Sequence, residues 1–294
     1  MAEGWRTVRD DRQRPWAAGT GTSSAPRRRA RPWWVLTLAG IVVLVLLLGA
    51  TAEVQRADFS RAWLPPSGQH PFGTDHAGRD LLDRTLAGTR VSLLVGLAAA
   101  ASSSLLGLLV GGVAGSVAHR AGAWLDSVLM RVVDAVNSLP HLVLGIVIVA
   151  LLGPSLRSVV ISIAVTHWTT TARIVRAEVL ALTGSGFVEA AVGAGASRWW
   201  VLTRHLAGHV LGRALLATVL MVPHAIMHES ALSFLGLGLQ DDRASLGTII
   251  EQSRSAVVAG HWWPAVLPGL VLVLLSLLVF VVAERLRPSS RGRA

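Results

Sequence analysis

The sequence predicts an all-α polytopic membrane protein with about six transmembrane helices. Two observations lead to this fold class. Hydrophobic residues make up 52% of the 294 residues and charged residues only 15%, with a mean hydropathy of +0.55, whereas soluble domains are usually about one quarter charged. In addition, apolar runs of roughly 20 residues, the length needed to cross a bilayer, recur along the chain.

The chain begins with a polar tail and a first apolar run. Residues 1–31 are rich in Arg, Pro, Gly, Ser and Thr, a composition typical of a disordered tail. An apolar run at 33–50 follows, and we predict the first transmembrane helix at 32–55. Small residues after this run also fit the cleavage site of a signal peptide, but the long tail and the later apolar runs favour an uncleaved helix.

Five more apolar regions follow a polar segment at 56–90. They cover residues 91–117, 128–152, 156–176, 209–236 and 264–284. Pro140 and Pro223 lie inside two of them. Together with the first run, these regions make about six spans of the usual length, and a short tail at 287–294 follows.

The distribution of Arg predicts that both termini are cytoplasmic. Basic residues near the ends of spans are enriched on the cytoplasmic side of a membrane, and the N-terminal tail and the segment 287–294 are both strongly basic. Alternation of the spans then places 118–127 and 177–208 inside, and 56–90 and 237–263 outside. The outer segment 56–90 holds five Arg residues, which weakens the rule, so the termini decide the orientation.

Two residue types are absent, and each absence excludes a class of site. Without Cys, the chain has no disulfide and no thiolate metal site. Without Lys, it has neither the phosphate-binding lysine of a P-loop nor a lysine for a Schiff base. ATP, if it is used, must be bound by another chain. Cytoplasmic Arg clusters explain the net charge of +10, and we expect no nucleic-acid partner.

One pair of charged residues lies at the start of the third apolar region. Arg131 and Asp134 are separated by one helical turn. Ionisable groups in spans are costly and are often functional. We interpret these two residues as a local ion pair near the membrane interface.

Histidines in the fifth apolar region raise the question of a metal site. His224 and His228 share one helix face, which is a possible metal geometry. However, Glu229 follows the second His, so the HExxH spacing of zinc proteases is absent, and the same helix supplies no further ligand. We therefore expect no metal and interpret these residues as the polar lining of an aqueous path. His167, beside the threonines at 169–171, allows the same two interpretations.

Glycines crowd the second apolar region, and Gly111 and Gly115 form a GxxxG step. Small residues let helices approach closely where lipid gives no hydrophobic driving force. The step fits either tight packing within the bundle or an interface between subunits. We favour packing within the bundle, because GxxxG is common in apolar segments.

The sequence contains no recognisable catalytic constellation. No nucleophile and base stand at an informative spacing, so we expect no catalytic residue and no enzyme activity in this chain. The rival class is a membrane-embedded metalloprotease, which would need a complete metal or nucleophile site.

Three further stretches stand out along the chain: HPFGTDHAGRDLLDRTLAGTRVSLLVGL (70–97), FVEAAVGAGASRWWVLTRHL (187–206) and ESALSFLGLGLQ (229–240). Together they resemble one family, the C-type permease subunit of dipeptide, oligopeptide and nickel ABC importers, which is the inner-membrane component of binding-protein-dependent transport systems. The middle stretch carries the EAA pattern of ABC importer permeases, which is E-A-A, three residues, then Gly. The resemblance covers roughly residues 32–288 and implies a type I ABC importer permease fold with its core at 91–286. Where the family usually has Leu-Pro after this pattern, the chain has Ala207 and Gly208.

The resemblance implies that a loop at about 186–208 couples the permease to a separate ATPase. The coupling residues that it implies are Glu189, Ala190, Ala191, Gly195 and Arg198. The residue chemistry agrees, because small side chains let a partner approach the backbone and a carboxylate accepts charged donors. Arg198 either binds the partner or keeps the loop on the cytoplasmic side. Without the family match, an interfacial amphipathic helix without a partner explains the stretch equally well.

The resemblance also implies the partners and the mechanism. A heterodimer with a B-type permease subunit would form the pore in the bacterial cytoplasmic membrane. Two ATP-binding subunits, which hold ATP and Mg²⁺, would drive alternating access, and this chain would bind no cofactor. The solute would be a di- or oligopeptide, with nickel, glutathione or another small solute as alternatives. The candidate pore-lining residues are His224, His228, Glu229 and Ser230.

An extracytoplasmic substrate-binding protein would dock on the outer loops. Candidate docking residues are His70, Asp75 and Asp80. The simpler interpretation, which we prefer, is a capped turn with Asp75 or Thr74 at the start of an amphipathic surface helix.

Overall fold

The computed structural model describes residues 57–118, 123–197, 207–238 and 244–286, together with the single positions 40, 47 and 200. They belong to one unit of the chain, 34–294, and the other unit, 1–33, lies outside the described residues. Also outside them are the predicted tail at 287–294 and, except for the helical positions 40 and 47, the first predicted helix at 32–55.

The described residues form α-helices, a short 3₁₀ helix at Phe59–Arg61 and loops. They contain no β-strand, apart from one isolated bridge between Thr74 and Asp80. The helices are α1 (Leu81–Val117), α2 (Ala123–Ser138), α3 (His141–Leu152), α4 (Leu156–Thr183), α5 (Gly186–Gly193), α6 (Ala207–Leu232), α7 (Leu246–Gln252), α8 (Arg254–Val258) and α9 (Trp263–Leu286). A π-helical turn, Ser233–Leu237, extends α6.

Helix α1 begins ten residues before the apolar region that predicted it. The Asp80 carboxylate caps it by accepting hydrogen bonds from the backbone N–H groups of Leu82 and Asp83, at 2.8 and 3.2 Å. Of the expected capped turn that leads into an amphipathic surface helix, the turn is present, because the Asp75 carboxylate accepts the N–H groups of Ala77 and Arg79. The helix that follows is capped by Asp80 and is the long apolar helix α1, so the expected amphipathic surface helix is wrong. At 1.5 Å per residue, its 37 residues extend over roughly 55 Å, well beyond the apolar core of a bilayer.

The region expected to form one span at 128–152 is two helices. α2 and α3 meet at an angle of 91°, and Pro140 is the N-cap of α3. Proline has no N–H to continue the ladder of α2, and its ring excludes the residue before it from helical geometry. The break thus follows from one residue in an otherwise apolar stretch.

Three described helices are long and apolar enough to cross a bilayer by themselves, and the bent pair α2–α3 is a fourth candidate. The three are Leu81–Val117, Gly208–Leu237 and Trp263–Arg285. α4 has 28 residues but combines its apolar residues with threonines, His167 and three arginines. The predicted helical membrane fold is confirmed by these elements.

The main apolar core lies where α1, α3, α4, α6 and α9 meet. Its buried residues include Ala99, Val149, Ile163, Ile226 and Leu275. α9 contributes Leu272 and Leu275 to it and exposes many other large side chains, which suit contact with lipid or another apolar surface.

Glycines bring α1 and α4 into backbone contact. A Cβ built on Gly107 would lie 2.6 Å from the Trp168 carbonyl oxygen, and one on Gly111 would lie 2.9 Å from both the Cα and the carbonyl carbon of Ala172. Gly115 continues the same line, against Val179. The interpretation of the GxxxG step as packing within the bundle is confirmed.

Candidate functional site

The EAA stretch forms α5, a helix of eight residues that follows α4 after a short turn. Val188, 7% exposed, packs against Leu182 at the end of α4 and against Val192 and Ala196 of α5 and the turn after it. Ala190, on another side, is exposed. A short helix held by one buried valine therefore presents backbone and small side chains to its surroundings.

The glycine of the pattern ends this helix. Gly195 has φ +94°, a left-handed conformation that glycine adopts without the Cβ clash that other residues suffer. Its N–H donates to the Val192 carbonyl, and the Ala196 N–H donates to the Ala191 carbonyl, both at 3.0 Å. These bonds satisfy carbonyls that a helix end leaves open. The backbone conformation at the end of α5 therefore explains why the EAA pattern has Gly at this spacing.

The structure places the predicted coupling residues unequally. Ala190, Gly193 and Gly195 are exposed, whereas Ala191 is half-buried and packs against Val188. Glu189 lies within α5 by its backbone, and Arg198 lies outside the described residues. The coupling role of all these residues stays a prediction.

Ion pairs tie the last turns of α4, which leads into α5, to two neighbouring helices. The Arg176 guanidinium donates to both carboxylate oxygens of Asp126 in α2, each at 2.6 Å. Arg213 in α6 lies 3.2 Å from the Glu178 carboxylate of α4. Sequence reasoning missed both pairs, because their members are far apart along the chain. A displacement of α5 would therefore act on α2 and α6 as well as on α4.

The predicted local pair on α2 does not form. Asp134 accepts a hydrogen bond of 2.6 Å from Arg173 in α4, so the expected pairing with Arg131 is wrong. α4 therefore donates to α2 from two arginines, Arg173 and Arg176. These contacts between helices form in place of the expected i,i+3 pair within α2.

Four imidazoles from three helices meet beside α6. His167 of α4 contacts His141, His224 and His228, with ring centroids 4.8, 6.4 and 4.4 Å away. His167 Nδ1 lies 2.7 Å from Thr166 Oγ1 and 3.2 Å from the Ile163 carbonyl oxygen. The sequence singled out three of the four and missed His141, which follows the helix break at Pro140.

An open cavity of about 370 Å³ lies between α6 and α9 next to two of these histidines. Its lining is formed by Pro223, His224, Met227, His228, Ser276, Leu277 and Phe280. The cavity combines an apolar wall with imidazoles and a hydroxyl, as small-molecule sites commonly do. Among the described residues, no group of three or more His, Asp or Glu side chains is arranged to hold a metal ion.

Glu229 and Ser230 lie elsewhere, although they follow His228 directly. Their exposures are 1% and 5%, and the Glu229 carboxylate accepts a hydrogen bond of 2.9 Å from Ser92 of α1. The structure therefore brings His224 and His228 to the cavity and turns Glu229 and Ser230 into the interior. The pore-lining role of the four residues stays a prediction.

The candidate docking residues build the interior of a cap, which we define as residues 57–80. Asp75, 3% exposed, accepts the backbone N–H groups of Ala77 and Arg79 at 2.8 and 2.9 Å and pairs with the buried guanidinium of Arg84. His70 Nδ1 lies 2.7 Å from the carboxylate of Asp80.

Arg84 also donates to Gln252 of α7 at 2.9 Å, which joins the edge of the cap to α7. Asp75 and Asp80 point inward and make these contacts, so a structural role is sufficient to explain their presence. Docking through His70, Asp75 and Asp80 stays a prediction.

Comparisons with known proteins agree with these features. A family model described as binding-protein-dependent transport system inner membrane component matches residues 91–292. The dipeptide transport system permease protein DppC of Bacillus subtilis (strain 168) is 36% identical over 247 residues, which cover 81% of this chain and 76% of that protein. The nickel transport system permease protein NikC of Escherichia coli (strain K12) is 35% identical over 265 residues, which cover 86% of this chain and 92% of that protein.

Solved structures share the fold. A chain of the MetNI methionine ABC transporter in an inward-facing conformation matches with a TM-score of 0.57 and 18% identity, covering 70% of this chain and 95% of that chain. A chain of an amino acid ABC transporter crystallised with histidines matches with a TM-score of 0.55 and 16% identity, covering 69% and 92%. At these identities, the likeness concerns the path of the helices.

Proposed function

The chain belongs to the family of binding-protein-dependent transport system inner membrane components, and from that premise we propose that it is the C-type permease subunit of an importer for di- or oligopeptides. Family membership makes it a multi-pass membrane permease component of an ABC importer. The proposal adds the solute, the cytoplasmic position of both termini, and ATP-driven alternating access. ATP and Mg²⁺ would be held by two ATP-binding subunits.

The observation that carries the proposal is the exposed surface of α5. A helix with Ala190 and Gly193 on its surface lets another protein approach its backbone closely. Val188 packs against Leu182 of α4 and leaves that surface open. This is the chemistry expected of a coupling helix that docks on an ATPase, with Glu189 accepting donors from the partner.

The contacts around α4 suggest how movement would spread from α5. α4 is tied to α2 through Arg176 and to α6 through Glu178. Backbone contact at Gly111 ties it to α1. A displacement of α5 would therefore move four helices together, which is the rigid-body rocking that alternating access requires. The His-lined cavity beside α6 would open and close with this movement.

Nickel is the second candidate solute. A nickel permease is among the similar proteins, and imidazole nitrogen is a good ligand for Ni²⁺. The four histidines near the cavity are not arranged to hold a metal ion together in the described part of the chain, so this alternative rests mainly on the similar protein. The peptide proposal rests on the names of other relatives, including DppC. Glutathione and other small solutes are further alternatives within the same architecture.

The metalloprotease hypothesis has less support. It needs three or four ligands around one metal, and the described residues contain no such group.

Uptake into proteoliposomes tests the solute. The chain would be reconstituted with a B-type permease, two ATP-binding subunits and the cognate binding protein, and supplied with a labelled dipeptide or with Ni²⁺. We expect dipeptide uptake that requires both ATP and the binding protein. Uptake of Ni²⁺ alone would contradict the peptide assignment, and absence of uptake by a fully assembled complex would contradict the import function.

Substitutions in α5 test the coupling role separately. Glu189→Arg replaces the acceptor by a repelling charge, and Ala190→Trp covers the exposed surface. Loss of one hydrogen bond to a charged group corresponds to roughly ten- to hundredfold weaker binding, so we expect ATP-binding subunits to be lost on co-purification. Gly186→Ala is the control, since its Cβ meets nothing within 4 Å. If both variants retain the ATPases and transport, α5 is not the docking element.

A further inference from the structure

We propose that Glu229 and Arg254 act as positioning residues for transport: they form a clasp that holds the π-helical turn Ser233–Leu237 and links the His-lined cavity to the outer segment at 244–262. The clasp comprises these two residues with Ser92, Ser233 and Phe234. The proposal rests on the import function above, because it concerns how the movement of α6 reaches the outer side.

Glu229 supplies the first half of the clasp. Its carboxylate accepts hydrogen bonds from Ser92 at 2.9 Å, from Ser233 at 2.7 Å and from Ser230 at 3.3 Å. Every hydrogen bond that the described residues make to it comes from a serine hydroxyl. A buried carboxylate is costly unless its oxygens are satisfied, so this group holds its donors, and the elements that carry them, in place.

Ser92 extends the junction to α7. Its hydroxyl oxygen accepts the backbone N–H of Leu246 at 3.2 Å while its hydrogen is donated to Glu229. α7 also packs directly on the end of α6, because a Cβ built on Gly247 would lie 2.5 Å from the Ser230 carbonyl oxygen. One carboxylate thus joins α1, α6, the π-helical turn and α7.

Arg254 supplies the second half. Its guanidinium donates to the Phe234 carbonyl oxygen and lies 4.2 Å from the centre of the Phe234 ring. A hydrogen bond and a cation–π contact to the same residue hold the turn from the side of α8. The turn is therefore gripped at Ser233 by α6 and at Phe234 by α8.

The clasp gives a structural role to most of the stretch ESALSFLGLG, for which the coupling role of α5 provides no explanation. Its Glu and its two Ser residues form the junction. Gly236 has φ +80°, and a Cβ on Gly238 would lie 2.5 Å from the Cα and the Cβ of Ser233. Both glycines are thus required for the turn to fold back on Ser233.

The position of the clasp gives it a role in transport. His228, beside Glu229 on α6, faces the cavity, and Gln252 at the other end of α7 receives a hydrogen bond from Arg84 at the edge of the cap. A rotation of α6 at the cavity would therefore move α7 and the cap through the clasp. Breaking the clasp should uncouple the movement of α6 at the cavity from the movement of the outer segment, while the helix bundle stays folded.

Spin labels measure the position of the turn directly. The chain has no Cys, so the pair Leu106→Cys and Leu235→Cys provides its only thiols, and both positions are exposed. In the assembled transporter, we expect one narrow distance distribution with the native Glu229 and a broadened one with Glu229→Ala. Glu229→Gln keeps an acceptor and should preserve the narrow distribution.

Transport and ATP hydrolysis separate positioning from general destabilisation. Glu229→Ala removes the acceptor of three hydrogen bonds, so we expect it to lower uptake by at least about tenfold, the lower end of the ten- to hundredfold range for one hydrogen bond to a charged group, with basal ATPase activity retained. Arg254→Met, at an exposed position, should also lower uptake. It replaces Glu229→Ala as the test if that variant fails to assemble. Glu251→Ala, a carboxylate of α7 outside the clasp, is the matched control.

Unchanged distances and uptake in Glu229→Ala and Arg254→Met would overturn the proposal. An equal loss in Glu251→Ala would also overturn it, because the effect would then be general. If the unsubstituted transporter takes up no solute, the proposed function fails, while the distance measurement still decides whether the clasp positions the turn.

Discussion

Gly111→Ala tests whether α1 and α4 touch through their backbones. The added Cβ would lie 2.9 Å from the Cα and the carbonyl carbon of Ala172, and closer still to its carbonyl oxygen. These are backbone atoms inside a 28-residue helix, so they do not turn aside as a flexible side chain would. The two helices must separate locally to accept one methyl group.

The neighbouring glycine provides a matched control. A Cβ on Gly112 meets nothing within 4 Å, so Gly112→Ala carries only the helix-propensity gain of Ala over Gly, about 0.5–1 kcal/mol. Gly111→Ala carries the same gain plus the overpacking penalty, typically about 1–3 kcal/mol. The difference between the two variants therefore isolates the contact, and we expect about 1–3 kcal/mol.

Thermal unfolding of the purified chain in detergent measures this difference. A change of 1 kcal/mol shifts the midpoint by about 2–4 °C for chains of this order of size, so Gly111→Ala should unfold at a clearly lower temperature than Gly112→Ala. Equal midpoints would refute the backbone contact.

Two further predictions use matched pairs in the same unfolding assay. Asp126→Asn should lower the free energy of unfolding by about 1.5–3 kcal/mol, because it weakens a two-bond contact to Arg176 at a largely buried carboxylate. Asp134→Asn changes an exposed pair and should lower the free energy of unfolding by less than about 1 kcal/mol. Equal losses in the two variants would contradict this prediction. Arg84→Gln leaves the buried Asp75 without its cation and should cost about 3–5 kcal/mol; the exposed Arg90→Gln should stay within about 0.5 kcal/mol.

The helical membrane fold was predictable because it depends on local composition. Apolar runs long enough to cross a bilayer must form helices, since lipid offers no partner to backbone groups. The ends of the helices were less predictable. The extension of α1 to Asp80 depends on a capping carboxylate outside the apolar run, and the 91° bend at Pro140 is invisible to a hydropathy count.

The candidate sites also include a part that the sequence predicted and a part that it did not. The EAA stretch was recognisable because Glu189, the two alanines and Gly195 lie within one short helix and its end. His141 was missed because nothing near it in sequence joins it to His167. The pair between Asp126 and Arg176 spans 50 positions, and no spacing rule predicts it.

The sequence by itself determined that the chain is helical and membrane-embedded, and it contained the small-residue EAA stretch from which a coupling role is predicted. The helical fold follows from transfer free energies and backbone preferences, which are local. Only the tertiary structure decided the surroundings of each polar group. Glu229 stands beside His228 in sequence, yet one lies in a serine junction and the other beside a cavity. Neighbouring side chains leave a helix in different directions, and what each one meets depends on chain segments more than a hundred residues away, as Ser92 is from Glu229.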